Sequence, residues 1–131
     1  MKYLLDVNML VALGHTLHVH HVRAGRWLKR SRPDIEVLAT CPITELGFVR
    51  VSVQAGLQPD VATAVRALAS LKASSPISFE LWSDALGVDT LPRYVRKTSE
   101  LTDGHLLELA RVNGAQLATL DGNIPDAMLV S

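Results

Sequence analysis

The chain opens on Lys2-Tyr3-Leu4-Leu5-Asp6-Val7, a short apolar run closed by an acid and followed at once by helical spacing. A continuous apolar run of this length marks a strand buried on both faces, as in a parallel sheet. Ile35-Glu36-Val37-Leu38-Ala39 reads as a second strand, and Gln116-Leu117-Ala118-Thr119-Leu120-Asp121-Gly122 as a late strand and turn. Helical spacing fills the intervals. From Val19 to Arg30, Val22, Trp27 and Leu28 face a core while the basic residues face outward, and Arg32-Pro33-Asp34 stops the helix. Pro42 sits where a first-turn proline is tolerated, ahead of Ile43, Leu46, Val49 and Val53, and Gly56 closes that helix. Pro59-Asp60 opens another, with Val61, Val65, Leu68 and Leu71 at helical spacing up to Ser74-Ser75-Pro76. Ile77 to Trp82 has the length of a short strand, whereas Ser83 to Glu100 gives mixed signals. Thr102 reads as the N-cap of a last helix that buries Leu106, Leu107 and Ala110 and stops at Asn113-Gly114.

Strands alternating with helices predict an α/β fold, a parallel sheet covered on both faces and joined by right-handed crossovers. With 131 residues and neither an internal repeat nor a linker, the chain is expected to form one domain, residues 1–131. Apolar stretches such as Met9 to Leu13 fall far short of the roughly 20 residues that cross a bilayer. No charged start precedes a signal core, and the single cysteine, Cys41, cannot form an internal disulfide. The expected location is the cytosol, with no membrane association. Thirteen basic residues balance thirteen acidic ones, so any nucleic-acid site must be local. Arg23, Arg26, Lys29, Arg30 and Arg32 form one basic run, and Arg93, Arg96 and Lys97 a smaller one. Mean hydropathy is +0.21, and the Val61–Leu71 helix is apolar enough to meet a partner or to serve as ordinary core.

In a parallel sheet the strand C-termini and helix N-termini meet along one edge, where ligands usually bind. Asp6 and Asp121 end strands, and Glu45 and Asp103 fall in first turns of helices, so all four point to one rim. The helix dipole alone accounts for an acid in a first turn. It accounts less well for Asp6 and Asp121, which close hydrophobic strands with no adjacent cation and are costly to desolvate there. Four converging carboxylates repel one another unless some are protonated or a divalent cation neutralises them, and an all-oxygen set suits Mg²⁺ or Mn²⁺ rather than zinc. Such a site can hydrolyse a phosphodiester. Asn8 and Thr119 stand two residues from Asp6 and Asp121 and are candidates to orient those carboxylates through hydrogen bonds.

Other readings are weaker. His15, His18, His20 and His21 form a dense cluster without cysteine or carboxylate at zinc spacing, and are read as exposed helix-start histidines. No second aspartate follows Asp6 two residues on, as a phosphotransfer or receiver domain needs, and no glycine-rich phosphate loop follows any strand.

Four segments, Leu5-Asp6-Val7-Asn8-Met9-Leu10, Thr44-Glu45-Leu46-Gly47-Phe48-Val49-Arg50, Thr102-Asp103-Gly104-His105-Leu106-Leu107-Glu108-Leu109-Ala110 and Leu117-Ala118-Thr119-Leu120-Asp121, together resemble PIN-domain proteins of the VapC toxin type. The resemblance runs through nearly the whole chain and rests on the ordered set rather than on any one motif. It implies a PIN-like three-layer α/β/α sandwich with a mainly parallel sheet, and a Mg²⁺- or Mn²⁺-dependent endoribonuclease that is the toxin of a toxin-antitoxin pair. By position, the metal-binding and catalytic acids are Asp6, Glu45, Asp103 and Asp121. The resemblance further implies a homodimer, inhibition by a small cognate antitoxin, and operator DNA bound only through that antitoxin. After Asp121 the family often carries a further acid and an aromatic, where this chain has Asn123 and Ile124 and then Asp126, so Asn123 and Asp126 are candidates for an outer ligand. His105 is read as a partly exposed helix-start histidine. Because four acids repel RNA, the expected RNA contacts are Arg23, Arg26, Lys29 and Arg30 or Arg93, Arg96 and Lys97. The alternative is a PIN-like module that does not catalyse and acts through a protein partner.

Overall fold

The computed structural model describes residues Met1–Ser131. Five helices, α1 (Val7–Gly14), α2 (His21–Ser31), α3 (Pro42–Gln54), α4 (Val61–Ser74) and α5 (Leu101–Val112), surround five strands: β1 (Lys2–Leu5), β2 (Val37–Thr40), β3 (Phe79–Leu81), β4 (Gln116–Thr119) and β5 (Met128–Leu129). The sheet order is β3-β2-β1-β4-β5 and every pairing is parallel, so the expected mainly parallel sheet is wholly so. β1 is central, with Leu4 opposite Ala39 on one side and Leu117 on the other. That placement explains its unbroken apolar character. Tyr3, Leu5, Met9, Leu10, Phe48 and Leu68 share a core on the α1–α4 side, and Leu4, Leu106, Leu109 and Leu117 share one under α5. Tyr3 meets Trp27 of α2 edge to face at 5.2 Å, a pairing that contributes about 1 kcal/mol beyond simple burial.

The first-turn residues of the helices follow their sequence signals in part. Pro42 occupies the first turn of α3, and Asp60 caps α4 by accepting from the Thr63 backbone N–H at 2.8 Å. Thr102 is not an N-cap: a turn of 3₁₀ helix at Thr98–Glu100 runs straight into α5, which leaves Thr102 inside the helix. Helix α2 begins two residues later than Val19 and leaves Val22 66% exposed, because Ala24 and Trp27 make its contact with the core. In α3 the buried face is Thr44, Gly47, Phe48 and Ser52, and Leu46 is exposed. The cause is a close approach of helices, since a β-carbon on Gly47 would stand 2.5 Å from Val7 Cγ2. Val61 and Val65 are likewise exposed, with Ala64 and Leu68 facing inward instead. β5 has no counterpart in the sequence reading. Ser83–Glu100 is a long connection holding single 3₁₀ turns at Val88–Thr90 and Thr98–Glu100.

Candidate active site at the carboxyl edge of the sheet

Asp6 follows the last residue of β1 and caps α1, its Oδ1 accepting the Val7 N–H at 2.8 Å. Its other oxygen, Oδ2, accepts from the Thr119 hydroxyl at 2.7 Å, across 113 residues of chain. The same hydroxyl oxygen accepts from Asn8 Nδ2 at 3.2 Å and from the Asp121 N–H at 3.0 Å, which uses its one donor and both lone pairs. Asn8 Oδ1 accepts the Leu120 N–H at 3.1 Å. A network of two neutral side chains therefore ties the ends of β1 and β4 together and fixes the Asp6 carboxylate. Asp121 Oδ1 accepts the Asn123 N–H at 2.9 Å, holding the turn after β4.

The electrostatics are strained. Burial pushes the Asp6 carboxyl above the ordinary range, against the Thr119 and Val7 hydrogen bonds that lower it, and the charge on Asp121 pushes it further up. Asp103, in the first turn of α5, is raised to about 6, first by burial and then by the charges of Asp6 and Asp121. These three aspartates therefore face one another without a compensating cation. Asp103 and Asp121 line a cleft of about 340 Å³ together with Tyr94, Lys97, Glu100 and Asn123.

Glu45 differs. It lies in the first turn of α3 as expected, but its Oε2 accepts from the Thr40 hydroxyl at 2.5 Å and is ion-paired with Lys72 of α4. It is not among the charges that raise Asp6 or Asp103. No group of three His, Cys, Asp or Glu side chains in the structure is closed tightly enough to grip an ion. The donor chemistry nevertheless fits a hard divalent cation, because every donor is oxygen and none of the three aspartates is held in an ion pair.

No family model matches the chain. It is 40% identical over 124 residues to ribonuclease VapC38 of Mycobacterium tuberculosis, covering 92% of this chain and 86% of that one. Ribonuclease VapC39 of the same organism is 36% identical over 132 residues, covering 97% and 94%. The chain belongs to the VapC ribonuclease family. Two solved structures share the fold: M. tuberculosis VapC20, described as a sarcin-ricin loop cleaving toxin, with a TM-score of 0.64 at 17% identity over 98% and 99% of the two chains, and VapBC2 from Rickettsia felis bound to a DNA fragment from its promoter, with a TM-score of 0.65 at 14% identity over 98% and 97%.

Within this VapC-family chain the basic candidates separate. Lys97 lines the acid cleft, and Arg93 and Arg96 are exposed in the same connection. Arg26, Lys29 and Arg30 are exposed along α2. Arg23 is committed elsewhere, because its Nε and Nη2 donate to the Val130 carbonyl at 2.9 and 2.5 Å. Asn123 lines the cleft, whereas Asp126, at φ 64°, lies in a separate groove with Glu108 and Arg111.

The histidines are not the exposed group expected. His15 is buried, stacks on Phe48 at 5.2 Å and bonds the Val11 carbonyl through Nδ1 at 2.9 Å; His21 Nδ1 bonds the Ala12 carbonyl at 2.8 Å. Both serve the otherwise open C-terminal carbonyls of α1. His105 is mostly buried and pairs with Asp84 at 2.5 Å, tying the long connection to α5. Sequence reasoning missed Lys72, Asp84 and Tyr94. Lys72 carried one usable signal, a basic residue in the last turn of a helix that follows the Glu45 helix.

Proposed function

We propose that this chain is the ribonuclease toxin of a toxin-antitoxin pair and that it hydrolyses RNA phosphodiesters at the Asp6, Asp103 and Asp121 rim with Mg²⁺ or Mn²⁺. The observation that carries the reading is the gathering of three aspartates at one sheet edge, where burial first, and the charges of Asp6 and Asp121 after it, raise the Asp103 carboxyl to about 6. The names of the relatives, ribonucleases VapC38 and VapC39, support the same reaction class.

Asp6, Asp103 and Asp121 would hold the cation, with Glu45 joining them once it turns from Lys72. When bound, the cation would polarise the phosphate and lower the pKa of an attacking water. The protein's part is otherwise positional. Thr119 and Asn8 keep Asp6 in one orientation, so the carboxylate does not rearrange during the reaction. Lys97 brings positive charge to a cleft that would otherwise repel RNA. A carboxylate at the rim that does not hold the cation would accept the proton from the attacking water.

The proposed assembly is a homodimer bound by a small antitoxin, with operator DNA contacted through that antitoxin. The R. felis VapBC2 complex on its promoter fragment supports the antitoxin partner. Leu46, Val49, Val53, Val61 and Val65 line an apolar groove of about 420 Å³ between α3 and α4, a surface suited to such contacts. No helix is long and apolar enough to cross a membrane, which fits the cytoplasmic location we propose.

The test is cleavage of a mixed RNA pool by antitoxin-free protein with Mg²⁺, Mn²⁺ or EDTA. Cutting that needs the metal and disappears in Asp6→Asn and Asp103→Asn is expected. Folded protein that cuts nothing under any of these conditions overturns the reading in favour of a non-catalytic binding module.

A further inference from the structure

Tyr94 stands in the same cleft as Asp103 and Asp121. Its hydroxyl oxygen is buried and has no hydrogen-bond partner. The surrounding chain holds it there. The Val95 N–H donates to the Pro92 carbonyl at 3.1 Å, and the Glu100 carboxylate accepts the N–H groups of Arg96 and Lys97 at 3.1 and 2.9 Å, so both sides of Tyr94 are pinned. The loop presses on the first turn of α5 closely enough to require glycine at position 104. A β-carbon there would collide with Val95 Cγ2 and stand 3.6 Å from the Tyr94 hydroxyl.

Packing explains the ring and leaves the hydroxyl unexplained, because phenylalanine would fill the same space without burying an unpaired polar group. The neighbouring Asp103 and Asp121 carboxylates can only accept when ionised, and neither receives this proton. An O–H held in a cleft lined by acids, with no partner in the protein, is left for an acceptor brought from outside it. Resting on the ribonuclease reading above, we propose that Tyr94 is a further catalytic residue, its hydroxyl donating a hydrogen bond to a non-bridging oxygen of the RNA phosphodiester. With Lys97 it supplies the donors that the aspartates lack, once the cleft lining yields to let the phosphate reach it.

The experiment compares wild type, Tyr94→Phe and Asp103→Asn in single-turnover cleavage of the RNA pool with Mn²⁺, together with RNA affinity and melting temperature. Tyr94→Phe is expected to slow cleavage by about tenfold or more. Its RNA affinity should stay close to wild type and its melting temperature should be equal or higher, since the variant buries no unpaired hydroxyl. Wild-type cleavage by Tyr94→Phe, or a slowing matched by a lower melting temperature, overturns the assignment while Asp103→Asn still reports an acid-dependent nuclease. A wild type as inert as Asp103→Asn overturns the ribonuclease reading and this inference with it.

Discussion

Glu45 and Asp103 occupy equivalent places, each an acid in the first turn of a helix at the carboxyl edge of one sheet. Their surroundings are opposite. Glu45 is met by the Lys72 ammonium and the Thr40 hydroxyl, whereas Asp103 is met by Asp6 and Asp121. Position along the fold puts an acid at the rim; only its neighbours decide whether its charge is already spent within the protein or held for something else. The metal site we propose is thus lopsided, with three uncompensated aspartates on the β1–β4 side and a neutralised glutamate on the β2 side.

The sharpest way to break this comparison is to remove each acid in turn. Asp103→Asn should reduce RNA cleavage by about a thousandfold, to the level left by EDTA, while Glu45→Gln should reduce it by only about tenfold. Equal losses in single-turnover assays would show that the two acids act alike. Thr119→Val should come next. It strips Asp6 Oδ2 of its hydroxyl donor and leaves Asn8 Nδ2 without an acceptor, so we expect cleavage to fall about 10- to 100-fold. Chemical denaturation should show a stability loss of about 2 kcal/mol.

Lys72→Met sharpens the comparison from the other side. It frees Glu45, so Mn²⁺ should bind several-fold more tightly by calorimetry, and loss of the half-buried pair should lower stability by about 1 kcal/mol, a melting shift of roughly 3–5 °C. Weaker Mn²⁺ binding would mean that Lys72 holds Glu45 in place for the cation and does not compete with it.

The smallest effect concerns pH. Asp103 titrates near 6 in the folded chain and near 3.8 when free of these surroundings, so between those values the folded state binds more protons than the unfolded one. Stability contributed through this group therefore falls as pH rises from about 4 to about 6 and stays reduced above. In EDTA, Asp103→Asn should melt higher than wild type at pH 7.5, with the difference closing below about pH 4. A lower melting temperature for the variant at pH 7.5 would place a compensating cation beside Asp103.

Much of this arrangement was legible in the chain. Three buried strands could be recognised because β1, β2 and β4 sit inside the sheet and are apolar on both faces, and their alternation with helices implied the common edge. The acids closing β1 and β4 stood out because nothing apolar explains them. Other features were hidden for physical reasons. β5 is two residues long and has no period to detect. The buried face of α3 contains Thr44 and Ser52, so apolar spacing pointed instead to Leu46, which lies outside. Lys72 reaches Glu45 only because α4 crosses α3, and Tyr94 and Asp84 lie in a connection whose path is set by contacts with α5 rather than by local propensity.

The Thr119–Asp6 hydrogen bond spans 113 residues, joining the end of β1 to β4, a strand that follows it only after five helices and two other strands. During synthesis a chain that has emerged only through α4 possesses Asp6 and Glu45 but neither Asp103 nor Asp121, and its first strand lacks the neighbour that orders the Asp6 carboxylate. The cluster we propose as catalytic therefore assembles only after α5 and β4 have joined the strands and helices made before them.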